Sequence, residues 1–134
     1  MISITLLRIV GFVWERLFSR LSGIKKELID TAFFLLPMDD ALIRVALDFS
    51  GRSFLSWKVN FPTNRVGNFD LELVREFFNA FSTNSGATLH VEMIDGFNSH
   101  HISEAIFKAM GKSIKMAIEK NKGENMIPST KGSL

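Results

Sequence analysis

Three stretches of the sequence alternate apolar and polar residues, which is the period of a strand covered on one face. The first two lie on either side of Ser50-Gly51-Arg52, a segment that predicts a hairpin turn between them. The third runs from Ala87 to Ile94. The apolar positions of the three stretches are Ile43, Val45, Leu47 and Phe49; Leu55, Trp57, Val59 and Phe61; and Leu89, Val91 and Met93. The chain must therefore bury one side of a small sheet.

Two stretches with the apolar spacing of helices flank the third strand. The first follows Asp70, an N-cap candidate, and ends at Asn84-Ser85-Gly86. The second follows Asp95-Gly96 and runs from about Ser99 to Lys120. Its predicted buried stripe consists of Ile102, Ala105, Ile106, Ala109, Met110, Ile114 and Ala117.

The predicted order is strand, strand, helix, strand, helix, which describes an α+β fold. We expect a small mixed or antiparallel sheet with helices packed on one face. A further N-terminal helix is predicted from Val10 to Leu21, whereas the segment from Ile24 to Leu36 has no clear pattern. The chain is accordingly divided into an apolar helix and link, residues 1–36, and a half-domain, residues 37–134.

The composition favours a compact protein and argues against several classes of partner. Hydrophobic residues make up 46% of the chain, which is enough for a core. The formal net charge is only +2, so we expect no nucleic-acid partner. Arg8 and Glu15 interrupt the apolar N-terminus, so no membrane span is predicted. The absence of cysteine is compatible with a reducing compartment, and we expect a cytoplasmic location.

The three histidines of the chain fall close together in the sequence, beside a glutamate. On a helix, His100 and His101 lie four and three residues before Glu104, and both spacings place the side chains on one face. Imidazole and carboxylate ligands suit a divalent metal such as zinc, manganese or iron. His90 lies on the polar face of the preceding strand, and the fold could bring it near the start of the helix. The alternative is an exposed histidine pair at a helix N-terminus.

Two further groups could bind an anion. Lys108 lies one turn beyond Glu104, where it could attract an anion near the metal or form a helix salt bridge with Glu104. Ser129-Thr130-Lys131-Gly132 could bind a phosphate, although the same composition is typical of a polar tail.

Five segments of the chain resemble the imidazoleglycerol-phosphate dehydratase family. The run from His100 to Ala109 is similar to the family's second metal motif, and the run from Ile127 to Leu134 is similar to its C-terminal signature. The other three segments fit in order before the metal motif; they are Pro37–Leu42, Asp48–Arg52 and Thr88–Glu92.

The resemblance implies half of a tandem-repeat fold of the ribosomal protein S5 domain 2-like type, within a large symmetric oligomer. It implies a hydro-lyase of histidine biosynthesis that converts imidazole glycerol phosphate to imidazole acetol phosphate and water. Two manganese ions would act as Lewis acids between subunits. The implied metal ligands are His90, His100, His101 and Glu104, and the implied phosphate-binding residues are Arg52, Lys108, Ser129 and Lys131.

The chain also departs from the family's pattern in its N-terminal part. If Gly11 is the glycine that follows the family's first metal motif, the motif positions are occupied by Ile4, Thr5, Arg8 and Ile9, which cannot supply imidazole or carboxylate. An arginine pair in the family's link corresponds to Ile29-Asp30. We expect the catalytic glutamate to belong to a missing first half. Two hypotheses follow: a dehydratase completed by further copies or by another polypeptide, or a non-catalytic remnant that serves in assembly.

Overall fold

The computed structural model describes the backbone of residues 31–123 and the side chains of residues 31–117. The N-terminal helix predicted from Val10 to Leu21 and the phosphate-binding candidates Ser129 and Lys131 lie outside the described residues. The elements are β1 (Thr31–Met38), β2 (Ala41–Asp48), β3 (Phe54–Lys58), β4 (Arg65–Val66), β5 (Phe69–Asp70), α1 (Glu72–Ser85), β6 (Thr88–Asp95) and α2 (Ser99–Gly123).

The main sheet has four strands in the order β1-β2-β6-β3. The pairs β1–β2 and β2–β6 are antiparallel, and β3 pairs with β6 in parallel. Strands β4 and β5 form a separate antiparallel ribbon. The predicted α+β fold with a small mixed sheet is therefore confirmed.

The hairpin predicted at Ser50-Gly51-Arg52 is wrong. Val91 of β6 pairs with Val45 of β2 on one side and with Trp57 of β3 on the other, so β6 separates the two strands. Gly51 does turn the chain, with φ of +81°. After this turn β3 does not pair with β2. Because β3 and β6 are parallel, the chain between them must cross from one end of the sheet to the other, and α1 makes that connection.

The hairpin that does form joins β1 and β2 through Asp39 and Asp40. Asp39 has a φ of +51°, in the left-handed region that aspartate tolerates better than most residues. Pro37 lies inside β1, in register with Leu42. A proline is accepted there because β1 is an outer strand of the described sheet and needs no ladder N–H on its outer side. Residues 31–36, in which no clear sequence pattern was found, thus belong to the sheet.

The helices cover one face of the sheet, and the core lies between them. All the residues of the predicted α2 stripe are buried, as are Ile43, Val45, Leu89 and Val91 of the two central strands. Helix α2 packs on β1 and β2, and α1 packs on β3. Each fully buried valine, leucine or isoleucine side chain of this layer contributes about 1.5–3 kcal/mol to folding. None of the helices in the described part of the chain is long and apolar enough to cross a membrane.

The ends of α1 agree only in part with the sequence. Gly86 closes the helix with a φ of +70°, as predicted, and its N–H donates to the Ser82 carbonyl at 3.0 Å. At the other end the N-cap position is Leu71 and not Asp70. Asp70 belongs to β5, so the helix begins later than predicted, although Asp70 Oδ1 still accepts the N–H of Glu72 at 3.1 Å.

Candidate metal half-site

The start of helix α2 is fixed by Asn98, whose side chain caps the first turn. Asn98 Oδ1 accepts the backbone N–H of His101 at 3.1 Å, and its carbonyl accepts the N–H of Ile102 at 2.9 Å. Ser99 Oγ is held by Thr63 Oγ1 at 2.8 Å. His100 and His101 therefore stand on a well-anchored first turn.

The imidazole of His101 is bonded to Asp40, the second residue of the β1–β2 turn. Its Nδ1 lies 2.6 Å from Asp40 Oδ1, while Asp40 Oδ2 accepts the N–H groups of Phe97 at 2.7 Å and Asn98 at 2.9 Å. The Asp40 side chain is only 7% exposed. These contacts tie the β1–β2 turn to the start of α2 and fix the plane of one candidate ligand.

The same contacts shift the acidity of both groups. The backbone hydrogen bond from Phe97 and then the hydrogen bond from His101 hold the pKa of Asp40 well below its usual range. The hydrogen bond to Asp40 raises the pKa of His101. Asp39 lies farther away, with its Oδ2 3.7 Å from His101 Nε2, beyond hydrogen-bonding distance.

His100, Glu104 and Lys108 form a line along the outer face of α2. His100 Nε2 lies 3.5 Å from Glu104 Oε2, and Lys108 Nζ lies 3.3 Å from Glu104 Oε1. The His100 and His101 ring centroids are 6.2 Å apart. The spacing on the helix thus brings the residues together as predicted, and the salt-bridge alternative for Lys108 is present.

His90 does not join this group within one chain. Its side chain is exposed on the face of β6 opposite the buried Leu89 and Val91, and its ring centroid lies 5.8 Å from that of Phe54. Because α2 covers the other face of the sheet, the expectation that His90 approaches the helix start is not met. Between residues 31 and 117, no three histidine, aspartate or glutamate side chains are grouped closely enough to hold a metal ion.

Arg52 lies at the opposite end of the sheet from His101. Its N–H donates to Ser50 Oγ at 3.2 Å, and its carbonyl accepts the hydroxyl of Thr88 at 2.9 Å. Thr88 begins β6, whereas the His101–Asp40 contact lies beyond the end of that strand. Eight residues of strand separate the two by roughly 25 Å. One chain therefore does not bring Arg52 to His101.

Sequence reasoning missed the roles of Asp40 and Asn98. The signal for Asn98 was its place immediately before Ser99, since asparagine is a preferred N-cap residue. Asp40 lay in a segment that resembles the family, but no local pattern linked it to a histidine 61 residues away.

The described chain is a small mixed sheet covered on one face by two helices, and the second helix carries a His-His-x-x-Glu run in its first turns. The model of the family "Imidazoleglycerol-phosphate dehydratase" matches residues 6–114. The chain belongs to this family.

Several proteins named imidazoleglycerol-phosphate dehydratase are similar to this chain. The imidazoleglycerol-phosphate dehydratase of Cereibacter sphaeroides is 51% identical over 125 residues, which cover 92% of this chain and 64% of that protein. The Ruegeria pomeroyi enzyme is 59% identical over 101 residues, 74% of this chain and 51% of that protein. The chain thus spans about half to two thirds of the length of these relatives.

Two solved structures share the fold. The imidazoleglycerol-phosphate dehydratase of Staphylococcus aureus superposes with a TM-score of 0.65 at 43% identity, covering 66% of this chain and 52% of that one. The Pyrococcus furiosus enzyme, in complex with (S)-C348, gives a TM-score of 0.67 at 34% identity, with 79% and 58% covered. The family match begins well before Pro37, where the sequence resemblance began, and ends before Ile127.

Proposed function

We propose that this chain supplies one half of an imidazoleglycerol-phosphate dehydratase, a hydro-lyase of histidine biosynthesis in the cytoplasm. The reaction converts imidazole glycerol phosphate to imidazole acetol phosphate and water. The observation that carries the proposal is the arrangement on α2, where His100, His101 and Glu104 project from one anchored turn and the next. Family membership supplies the class of reaction.

The donor set fits a manganese ion. Side chains of His100, His101 and Glu104 are 31–40% exposed, so a metal can reach them. Imidazole nitrogen and carboxylate oxygen are ligands that manganese accepts. We assign His90, His100, His101 and Glu104 as metal ligands. The bound metal would supply Lewis-acid stabilisation of negative charge on the substrate.

The remaining polar residues would hold the substrate phosphate. Arg52 and Lys108 supply cationic donors suited to that group, and Ser129 and Lys131 supply a hydroxyl and an ammonium. Arg52 is fixed at its backbone by Ser50 and Thr88, so its side chain starts from a defined point. Lys108 would exchange its contact with Glu104 for the phosphate once Glu104 binds the metal.

The complete site would form between chains. His90 faces one side of the sheet and the α2 residues lie on the other, so a neighbouring chain would bring the second set of ligands. The sheet face that helices α1 and α2 leave open within residues 31–117 carries the exposed Phe33 and Leu35, a surface suited to association. The catalytic base would come from a first half, either in another polypeptide or in a preceding segment.

The second candidate is a non-catalytic assembly module that keeps only the half-site. It is favoured by the absence of a three-ligand cluster among residues 31–117. The two candidates differ in turnover, because a module of this kind binds metal and partners without dehydrating the substrate.

Metal binding and turnover of the purified chain test the proposal. We expect Glu104→Gln to lower the affinity for Mn²⁺ by roughly 10-fold or more, since it removes a ligand where even supporting contacts are worth that much. Glu76→Gln, which neutralises an exposed carboxylate on α1, is the matched control and should leave the affinity unchanged.

The dehydratase assay uses imidazole glycerol phosphate with Mn²⁺, first with the chain alone and then with a polypeptide carrying the family's first half. Turnover that appears in the mixture and is lost with Glu104→Gln supports a split dehydratase. A folded mixture that binds Mn²⁺ but turns over no substrate supports the assembly module.

A further inference from the structure

The carboxylate of Asp40 determines which nitrogen of His101 carries the proton. Asp40 Oδ2 already accepts two backbone N–H groups, from Phe97 and Asn98, and these contacts favour the ionised form. An ionised carboxylate only accepts hydrogen bonds. The 2.6 Å contact between its Oδ1 and His101 Nδ1 therefore requires that Nδ1 be the donor.

The other ring nitrogen is then left with its lone pair. In neutral imidazole one nitrogen is protonated and the other is an acceptor, so a proton on Nδ1 makes Nε2 the metal-binding atom. Among the described side chains, the carboxylate nearest to Nε2 is that of Asp39, at 3.7 Å, which is too long to hold an Nε2 proton in a hydrogen bond. The difference between 2.6 and 3.7 Å selects the tautomer.

We propose that Asp40 is a positioning residue that holds His101 in the Nδ1-protonated tautomer and directs the Nε2 lone pair toward the metal. Carboxylates that bond the far nitrogen of a ligating histidine fix the ring and make it more basic. The metal part rests on the proposed function of His101 as a ligand, whereas the tautomer part does not. Asp40 also links the orientation of the His101 ring to the β1–β2 turn, because its Oδ2 accepts the backbone N–H groups of residues 97 and 98.

The isosteric substitution Asp40→Asn gives a distinctive expectation. The two backbone N–H groups still need an oxygen, so the side-chain carbonyl would stay at the Oδ2 position. The amide NH₂ would then face His101 Nδ1 and donate to it. The proton would move to Nε2, and the ring would present an N–H where the metal needs a lone pair.

The first test is long-range ¹H–¹⁵N NMR of the histidine rings in the metal-free, ¹⁵N-labelled chain, at a pH where the imidazoles are neutral. We expect His101 of the natural chain to be protonated at Nδ1 and the D40N variant to be protonated at Nε2. An Nε2-protonated ring in the natural chain overturns the proposal, and this measurement does not depend on any variant folding.

The second test is Mn²⁺ titration of the same proteins, followed by the electron paramagnetic resonance of the free ion. We expect D40N to weaken binding by about 10–100-fold, the usual effect of losing such a supporting contact. Asp95→Asn removes the same charge from the end of β6, where Asp95 Oδ1 accepts the N–H of Gly96, and should change little.

The outcomes distinguish the tautomer of His101 from its function as a metal ligand. Equal weakening by D40N and D95N would reduce Asp40 to a general charge effect and overturn its positioning role. A natural chain that shows the expected tautomer but binds no Mn²⁺ would remove the metal function and leave the tautomer assignment standing.

Discussion

The pKa values of Asp40 and His101 shift in opposite directions, although one hydrogen bond joins the two side chains. The pKa of Asp40 is lowered chiefly by the N–H of Phe97 and then by His101, and the pKa of His101 is raised chiefly by Asp40. The folded chain thus favours the ionised form of both groups. Each shift makes the free energy of unfolding depend on pH.

The metal-free chain should be most stable at mildly acidic pH as far as this pair is concerned. Asp40 contributes stability above its ordinary pKa of 3.8, and this is lost as the pH falls through its lower folded value. His101 contributes stability below its ordinary pKa of 6.5, and this is lost as the pH rises through its higher folded value. Urea unfolding at a series of pH values, with a chelator present, measures the effect.

Asp40→Asn should flatten that profile on both sides. The variant loses the carboxylate that titrates at low pH and the charge that stabilises protonated His101. The pH window would be attributed to other groups if the natural chain and the variant showed parallel profiles.

At the scale of elements, the end of α1 requires a glycine, whereas the interior of α2 does not. Gly86 ends α1 with a φ of +70°, and a Cβ there would lie 3.2 Å from the Cα of Gly51. Gly111 lies within α2, where a Cβ would meet no described atom within 4 Å. The same substitution should therefore have opposite effects at the two sites.

We expect Gly86→Ala to lower the free energy of unfolding by about 1–2 kcal/mol, because an L-residue in the left-handed region costs that much. Gly111→Ala should raise it by roughly 0.5–1 kcal/mol, since alanine is the better helix former. Equilibrium unfolding in urea measures both. Equal changes of the same sign would contradict the role assigned to the Gly86 cap.

Local signals were sufficient to predict most elements but not their pairing. The alternation of Ile43, Val45 and Leu47 identified β2, and the stripe that includes Ile106 identified α2. The hairpin prediction at Gly51 failed because β6, about forty residues further along, is a better neighbour for both strands. Strand β1 was missed because Pro37 argues against a strand unless that strand is known to be at an edge.

At the scale of the whole molecule, the sequence indicated candidate site residues but not how the fold arranges them. The spacing of His100, His101 and Glu104 predicted their proximity, because helix geometry is local. Strand alternation correctly put His90 on the polar face of β6. The failure lay in the side of the sheet that the helices cover, which depends on the packing of all elements.

The open face of the sheet makes self-association testable. Phe33 is 62% exposed and Leu35 is 48% exposed, on the side that the helices leave uncovered in the described residues. We expect the natural chain to be oligomeric by light scattering. Replacing both Phe33 and Leu35 by Glu should lower the molar mass, because buried carboxylates oppose association.

Leu73→Glu is the matched control for that surface. Leu73 is 43% exposed but lies on α1, away from the open face, so its substitution should leave the assembly intact. A natural chain that is a clean monomer, or a control that dissociates as readily as the double variant, would contradict an interface on the open face.

The central position of β6 also determines the order in which the strands can pair during synthesis of the chain. A growing chain can close the β1–β2 hairpin early, because its partners are adjacent in sequence. Strand β3 can pair only later, since its neighbour β6 is synthesised after α1. Strand β2 also pairs with β6, and Arg44 there contacts Glu92, 48 residues further along the chain. Such distant pairing slows folding and leaves apolar strands exposed in the meantime. On the ribosome, Leu55 and Trp57 therefore remain without their strand partner until the chain has emerged as far as residue 91.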